Sequence, residues 1–82
     1  MTMPRFMIQG VPFESESPSF FRLAPELCNG DTIDVSFLGE GGRQEWCLFH
    51  ARADGEVFTR CFPSRDAAIE MIATAFKNVG AL

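Results

Sequence analysis

Residues 45–62 read Glu-Trp-Cys-Leu-Phe-His-Ala-Arg-Ala-Asp-Gly-Glu-Val-Phe-Thr-Arg-Cys-Phe, two apolar-rich runs around Asp54-Gly55. Two such runs about an Asp-Gly signal a β-hairpin. Side chains alternate between the faces of a strand, and here both faces come out apolar. A sheet needs one apolar face to build a core, so the second face must be covered, by the rest of the chain or by another molecule.

The register decides which residues share a face. Asp54-Gly55 alone would make a two-residue turn, whereas Ala53-Asp54-Gly55 would make a three-residue loop with Gly55 left-handed. The longer loop sets Arg52 opposite Glu56, a favourable cross-strand pair, and is preferred on that ground. Cys47 then faces Cys61, Phe49 faces Thr59 and Ala51 faces Val57. On the other face Trp46 meets Phe62, Leu48 meets Arg60 and His50 meets Phe58.

Around this hairpin the chain offers few other elements. Residues 5–13 suit one strand at an edge or bulge, because Pro12 lacks an N–H and Gly10 weakens pairing. Residues 14–19, Glu-Ser-Glu-Ser-Pro-Ser, read as a polar, flexible loop. Residues 20–23 are a short apolar patch of no assigned state. Pro25 to Cys28 can form one helical turn closed by Asn29-Gly30. Residues 31–38 alternate cleanly, with Ile33, Val35 and Phe37 on one side. Residues 39–43 hold three glycines and make a loose connection.

The C-terminal segment is helical. Ser64 is a good N-cap after Pro63, Asp66 suits the first turn, and Ile69, Ile72, Ala73, Phe76 and Val79 recur at helical spacing. Lys77 suits the last turn, and Gly80 is a fitting stop. The expected fold is therefore a small α+β domain: an antiparallel sheet of three to four strands with one C-terminal helix on one face. The whole of residues 1–82 forms a single domain. The face bearing Cys47, Phe49, Ala51, Val57 and Cys61 has small side chains that let a helix approach closely. That leaves the Trp46 face without an assigned cover, unless the segment holding Phe6, Ile8, Phe13, Phe20 and Phe21 folds over it.

Eighty-two residues bury only about 60–65% of the unfolded surface, so a self-partner would add stability. Residues 1–42 carry two basic and six acidic side chains, and residues 43–82 carry five of each. The net charge of −4 therefore sits wholly in the first half. An acidic chain repels phosphate backbones at long range, which disfavours nucleic acid as a partner. No apolar run approaches the ~18 residues of a membrane span. No leader pattern opens the sequence, and the three cysteines are an odd set at irregular spacing. Buried thiols in a reducing cytoplasm are the expectation.

The search for chemistry returns little. His50, the one histidine, has no assignable nucleophile or orienting partner, and there is no Gly-x-Ser-x-Gly elbow. Cys47 and His50 lie three apart on a strand and so point to opposite faces, which excludes them as a shared metal pair. No phosphate-loop pattern follows the Gly39 cluster. Neither a catalytic residue nor a metal ligand nor a cofactor is expected, and the chain is not read as an enzyme.

Two local resemblances can be stated. Asp34-Val-Ser-Phe-Leu-Gly39 resembles the Asp-x-Ser-x-x-Gly signature of PilZ domains, which bind cyclic di-GMP. Those domains pair it with an upstream Arg-x-x-x-Arg, whereas here Arg5 is followed four residues later by Gln9, and the function is not carried over. The hairpin leading through Phe62, Ser64 and Ala68 into a helix loosely resembles small DNA-binding modules such as phage-integrase arm domains. Those use a basic sheet face, and Glu45 and Glu56 offset the arginines of this one.

The function expected is that of a non-catalytic protein-interaction domain. It would be a small acidic inhibitor or regulator of phage or mobile-element type, similar in size and charge to anti-CRISPR proteins, or a self-associating homodimer. The docking residues expected are Trp46, Leu48, His50, Phe58, Arg60 and Phe62, on the aromatic face or its sheet edge. Trp and Arg are the residue types that most often dominate such surfaces. A small nucleic-acid-binding module, in which the aromatics beside Arg60 stack bases, is the alternative.

Overall fold

A computed structural model describes residues 3–39 and 44–78, with side chains from residue 76 onward left aside. Six strands form one antiparallel sheet in sequence order: β1 (Arg5–Ile8), β2 (Val11–Ser17), β3 (Phe20–Leu23), β4 (Thr32–Leu38), β5 (Glu45–Ala51) and β6 (Val57–Phe62). A single helix, α1 (Arg65–Asn78), follows β6. The α+β class and the C-terminal helix stand, but three to four strands was too few.

The missed strands have identifiable causes. Gln9 and Gly10 both take positive φ, 54° and 77°, which makes a two-residue hairpin turn and splits residues 5–13 into β1 and β2. Pro12 is tolerated within β2 because it lies opposite the end of β3, where Ala24 N–H bonds to its carbonyl at 3.1 Å. The polar run read as a flexible loop continues β2 to Ser17, and only Pro18 and Ser19 turn. Between Glu14 and Ser17 the register shifts by one residue, a bulge against β3. Ser15 is buried there, with its hydroxyl 2.5 Å from the carbonyls of Ser17 and Phe20. That satisfied hydroxyl is what lets a serine-rich stretch run through the sheet.

The remaining elements match expectation. Pro25–Leu27 is a single 3₁₀ turn, and residues 32–38 are a strand. Ser64 caps α1 by accepting the Ala67 N–H at 3.1 Å. Gly55 takes φ 100°, and the turn donates Arg52 N–H to Glu56 O at 2.7 Å and Gly55 N–H to Arg52 O at 3.0 Å. This is the three-residue loop, and β5 pairs with β6 in the register derived from it, from Trp46–Phe62 to Ala51–Val57. Residues 40–43 of the glycine-rich connection, the Phe76 and Lys77 side chains, and the expected end at Val79 and Gly80 lie outside the described residues.

The two faces of the sheet follow from the pairings. One carries Ile8, Val11, Phe13, Phe21, Leu23, Ile33, Val35, Trp46, Leu48 and Phe62, and Ala68, Ile69, Ile72 and Ala73 of α1 pack onto it as one core. Phe13, Leu23, Ile69, Val11 and Val35 are fully buried there, each burial contributing roughly 1.5–3 kcal/mol. The helix therefore lies on the aromatic face and not on the small-residue face. Apolar area decided this: Trp46, Leu48 and Phe62 remove more surface from water than the small side chains do. Phe6, Phe13 and Phe21 of the N-terminal segment extend this face as strands beside it and do not fold over it, while Phe20 points to the opposite face.

The opposite face carries charged residues over β1–β4, among Met7, Pro12, Phe20 and Leu38. Arg5, Glu14, Arg22 and Asp34 are directly opposite one another in turn, a ladder of alternating charge running across four strands. Arg5 reaches Glu14 at 3.0 Å and Glu26 at 2.6 Å, and Arg22 reaches Asp34 at 2.8 Å. On the same face Cys47 and Cys61, a directly opposed pair, form a disulfide, and Cys28 is free and buried. The expectation of three thiols is corrected by this bond, and with it goes the argument for compartment that rested on free cysteines.

Two outcomes follow for stability and thiol chemistry. Phe13→Ala, at a fully buried site, should cost about 3–5 kcal/mol in urea unfolding, and Phe58→Ala no more than about 1.5 kcal/mol. Burial pushes the Cys28 thiol up from its ordinary value, so the native chain should resist alkylation. Unfolded without reductant it should take one alkyl group by mass spectrometry, and with reductant three.

Candidate functional site

Six strands side by side span roughly 24 Å, and one helix covers about 10 Å of that. A single α1 therefore leaves sheet uncovered on both of its sides. Toward β1 an apolar hollow of about 480 Å³ is lined by Pro4, Phe6, Ile8, Phe21 and Arg65. Arg65 closes part of it, its guanidinium 5.3 Å from the centre of the Phe21 ring. Toward β6 a shallower groove of about 460 Å³ lies between strand and helix, lined by Arg60, Phe62, Ala67, Glu70, Met71 and Thr74.

The six residues expected to dock a partner divide between these surroundings. Trp46 is half-buried against the rings of Phe37 and Phe21, with centroids 5.4 and 6.2 Å away. Leu48 and Phe62 are also half-buried and pack against the core. These three support the helix. His50 is half-buried at the hairpin end beside Phe58, centroids 6.0 Å apart. Phe58 is 50% exposed, and Arg60 is exposed. The Arg60 guanidinium lies 5.3 Å above the Phe62 ring and 3.6 Å from Met71 Sδ. Met71, 41% exposed on α1, belongs to this surface. Val57, 63% exposed, lies on the same strand as Arg60 but on the opposite face of the sheet. Sequence reasoning missed both, because Met71 lies off the core stripe of the helix and Val57 had been given to the helix-covered side.

The two edges of the sheet differ. The β1 edge is four residues long, begins just after Pro4, and carries Arg5 in the charge ladder. Shortness, proline and charge are how proteins guard an edge against pairing. The β6 edge is six residues long, exposed from Val57 to Cys61, with no proline or bulge. Its one charge, Arg60, is drawn back over Phe62. Hydrogen-bonded pairs alternate along an antiparallel ladder. Since Arg52 and Glu56 form such a pair, so do His50–Phe58 and Leu48–Arg60. The main-chain groups of Val57, Thr59 and Cys61 consequently point away from β5, and among the described residues no strand pairs with them.

Asp31 fixes the far end of the hairpin. Its Oδ2 lies 2.8 Å from His50 Nε2, and its Oδ1 accepts the Ala53 N–H at 3.0 Å. The hydrogen bond from His50, and then that from Ala53, hold this carboxyl below its usual range. Among the described residues His50 bonds to no hydroxyl or thiol. Glu45, Cys47 and Cys61 place donor atoms within 4.8 Å of one another. With the two sulfurs joined, neither is a thiolate, and this set offers a metal only one carboxylate. No protein-family model, curated protein or solved structure matches the chain.

A group whose folded pKa is depressed stabilises above its unfolded value and loses that contribution as pH falls. Asp31→Asn, which keeps an acceptor for Ala53, should therefore lower the melting temperature at neutral pH. The gap to wild type should close as pH falls through about 4 and below, where the carboxyl protonates. Thermal melts of the two proteins across that range check this.

Proposed function

We propose that the chain is a non-catalytic protein-interaction domain that docks a partner through the outer edge of β6 and the groove between β6 and α1. The observation that carries this reading is the unguarded edge itself. An exposed row of unpaired N–H and C=O groups is a template for another strand. Strand addition draws affinity from main-chain hydrogen bonds and selectivity from the side chains flanking the edge. Here the flanking groups are Phe58, Arg60 and Phe62 on the helix side, and Val57 and Thr59 on the other.

Trp46 and Leu48 hold the surface from beneath and do not touch the partner, which narrows the six expected residues to those along β6. In its narrower form the domain is either a small acidic inhibitor or regulator, of the kind phages encode, that blocks the strand it occupies, or a homodimer that pairs with itself. A cytoplasmic setting belongs to the same reading, with β6 held to β5 by its ladder with or without the sulfur link. A protein partner is favoured over nucleic acid because Arg60, the only cation of β6 itself, is engaged over Phe62 and has Glu70 beside it in the groove.

Selection of displayed peptides against the purified domain tests the reading. Enriched peptides should shift the amide resonances of Val57, Thr59 and Cys61, and should lose binding to Thr59→Pro, which removes an outward N–H without touching the β5 ladder. Peptides that bind Thr59→Pro as well as wild type would place the docking surface elsewhere.

A further inference from the structure

We infer, on the reading that the β6 edge is the docking surface, that its occupant is a second copy of this chain, paired antiparallel about a two-fold axis at Thr59. The strand is self-complementary in this arrangement. Thr59 meets its own counterpart, Val57 meets the partner's Cys61, and Phe58 meets the partner's Arg60 on the helix side. Val57, Thr59 and Cys61 all present outward main-chain groups, so each outward N–H and C=O finds an outward partner. Each Phe58–Arg60 contact, made twice, sets a guanidinium beside an aromatic ring, and no like charges stand opposite.

Neighbouring registers are poorer. Moving the axis to Arg60 sets two arginines directly opposite. Moving it to Phe58 runs Cys61 and Phe62 past the strand onto turn residues Gly55 and Asp54. Only the Thr59 axis gives all of β6 a partner, with Phe62 reaching the partner's Glu56.

The distribution of charge points the same way. The net −4 of the chain belongs to residues 1–42, which form β1–β4, whereas residues 43–82, which supply β5, β6 and α1, are balanced. Joining two copies at β6 keeps the acidic halves at the outer ends of a twelve-stranded sheet. Because the axis is perpendicular to the sheet, both helices lie on one side and the two grooves open toward the seam. Met71 and Ala67 stand there as a small apolar surface without a charge of their own.

Sedimentation equilibrium of the full chain tests this. Wild type should sediment as a dimer, and Thr59→Pro as a monomer with unchanged helix content. Phe58→Lys places a lysine opposite the partner's Arg60 and should weaken the dimer on the order of tenfold or more. Adding Arg60→Glu should restore it, because each lysine then faces a glutamate, a rescue that neither neighbouring register would give. A wild-type chain that stays monomeric at the highest concentration reached overturns the inference. So does a double variant that is not rescued. Peptide binding that is lost in Thr59→Pro would leave the interaction reading standing in either case.

Discussion

The three-residue turn at Ala53, Asp54 and Gly55 is the constraint on which the rest of the molecule depends. With Gly55 left-handed, Arg52 and Glu56 close the hairpin as a hydrogen-bonded pair, and every pairing between β5 and β6 is then determined. A slip of one residue would part Cys47 from Cys61 and Trp46 from Phe62, and would turn a different set of main-chain groups outward. Asp31 adds a second hold, since it grips both His50 on the strand and Ala53 in the turn. The position of the helix, the disulfide and the character of the outer edge are all consequences of this register.

Given the register, the side on which α1 lies follows from a comparison of areas. Pro63 and Ser64 are a short link, and the helix that follows them has one apolar stripe to bury. Small side chains on one face allow a close approach, but close approach is worth little without surface to cover. The aromatic face of the hairpin is continuous with Val35, Phe21, Leu23, Phe13 and Val11 across three further strands, so a helix placed there seals a core that spans the sheet. The other face is largely charged, although Met7, Leu38 and Val57 stay exposed on it. Its charges are matched strand by strand, and the remaining apolar atoms include a disulfide whose Cys47 half is already buried.

How much was legible follows from the kind of signal each element carries. The hairpin, β4, the 3₁₀ turn and α1 are written in alternation, capping and helical spacing, and all were readable. β1–β3 were obscured because residues in β2 and in the turns beside it argue locally against strands: Gly10, Pro12, and the serines around the bulge. Tertiary context overrides those preferences, through a left-handed turn at Gln9-Gly10 and a buried hydroxyl at Ser15. The site was legible in part. Alternation grouped Phe58, Arg60 and Phe62 with Trp46 and Leu48, and it could not say that a helix would lie over the last two. Which strands end at an edge depends on the full sheet order, and with two strands unseen that order was out of reach.

The link between Cys47 and Cys61 bears on the proposed docking as well as on stability. It joins the outermost strand to its neighbour in the half of β6 that the turn does not hold, so the edge is pinned at both ends: by Gly55 and Asp31 at one, by the sulfurs at the other. Strand addition to a mobile edge spends part of its hydrogen-bond energy on ordering that edge. For the docking proposed, that ordering would be largely done beforehand, with the main-chain groups of Val57, Thr59 and Cys61 already in line. Rigidity also makes the edge selective, because a strand that cannot shift its register can accept only side chains that fit beside Phe58 and Arg60. On the docking proposed, a bond on the face away from the helix would thus help make the neighbouring edge a defined surface.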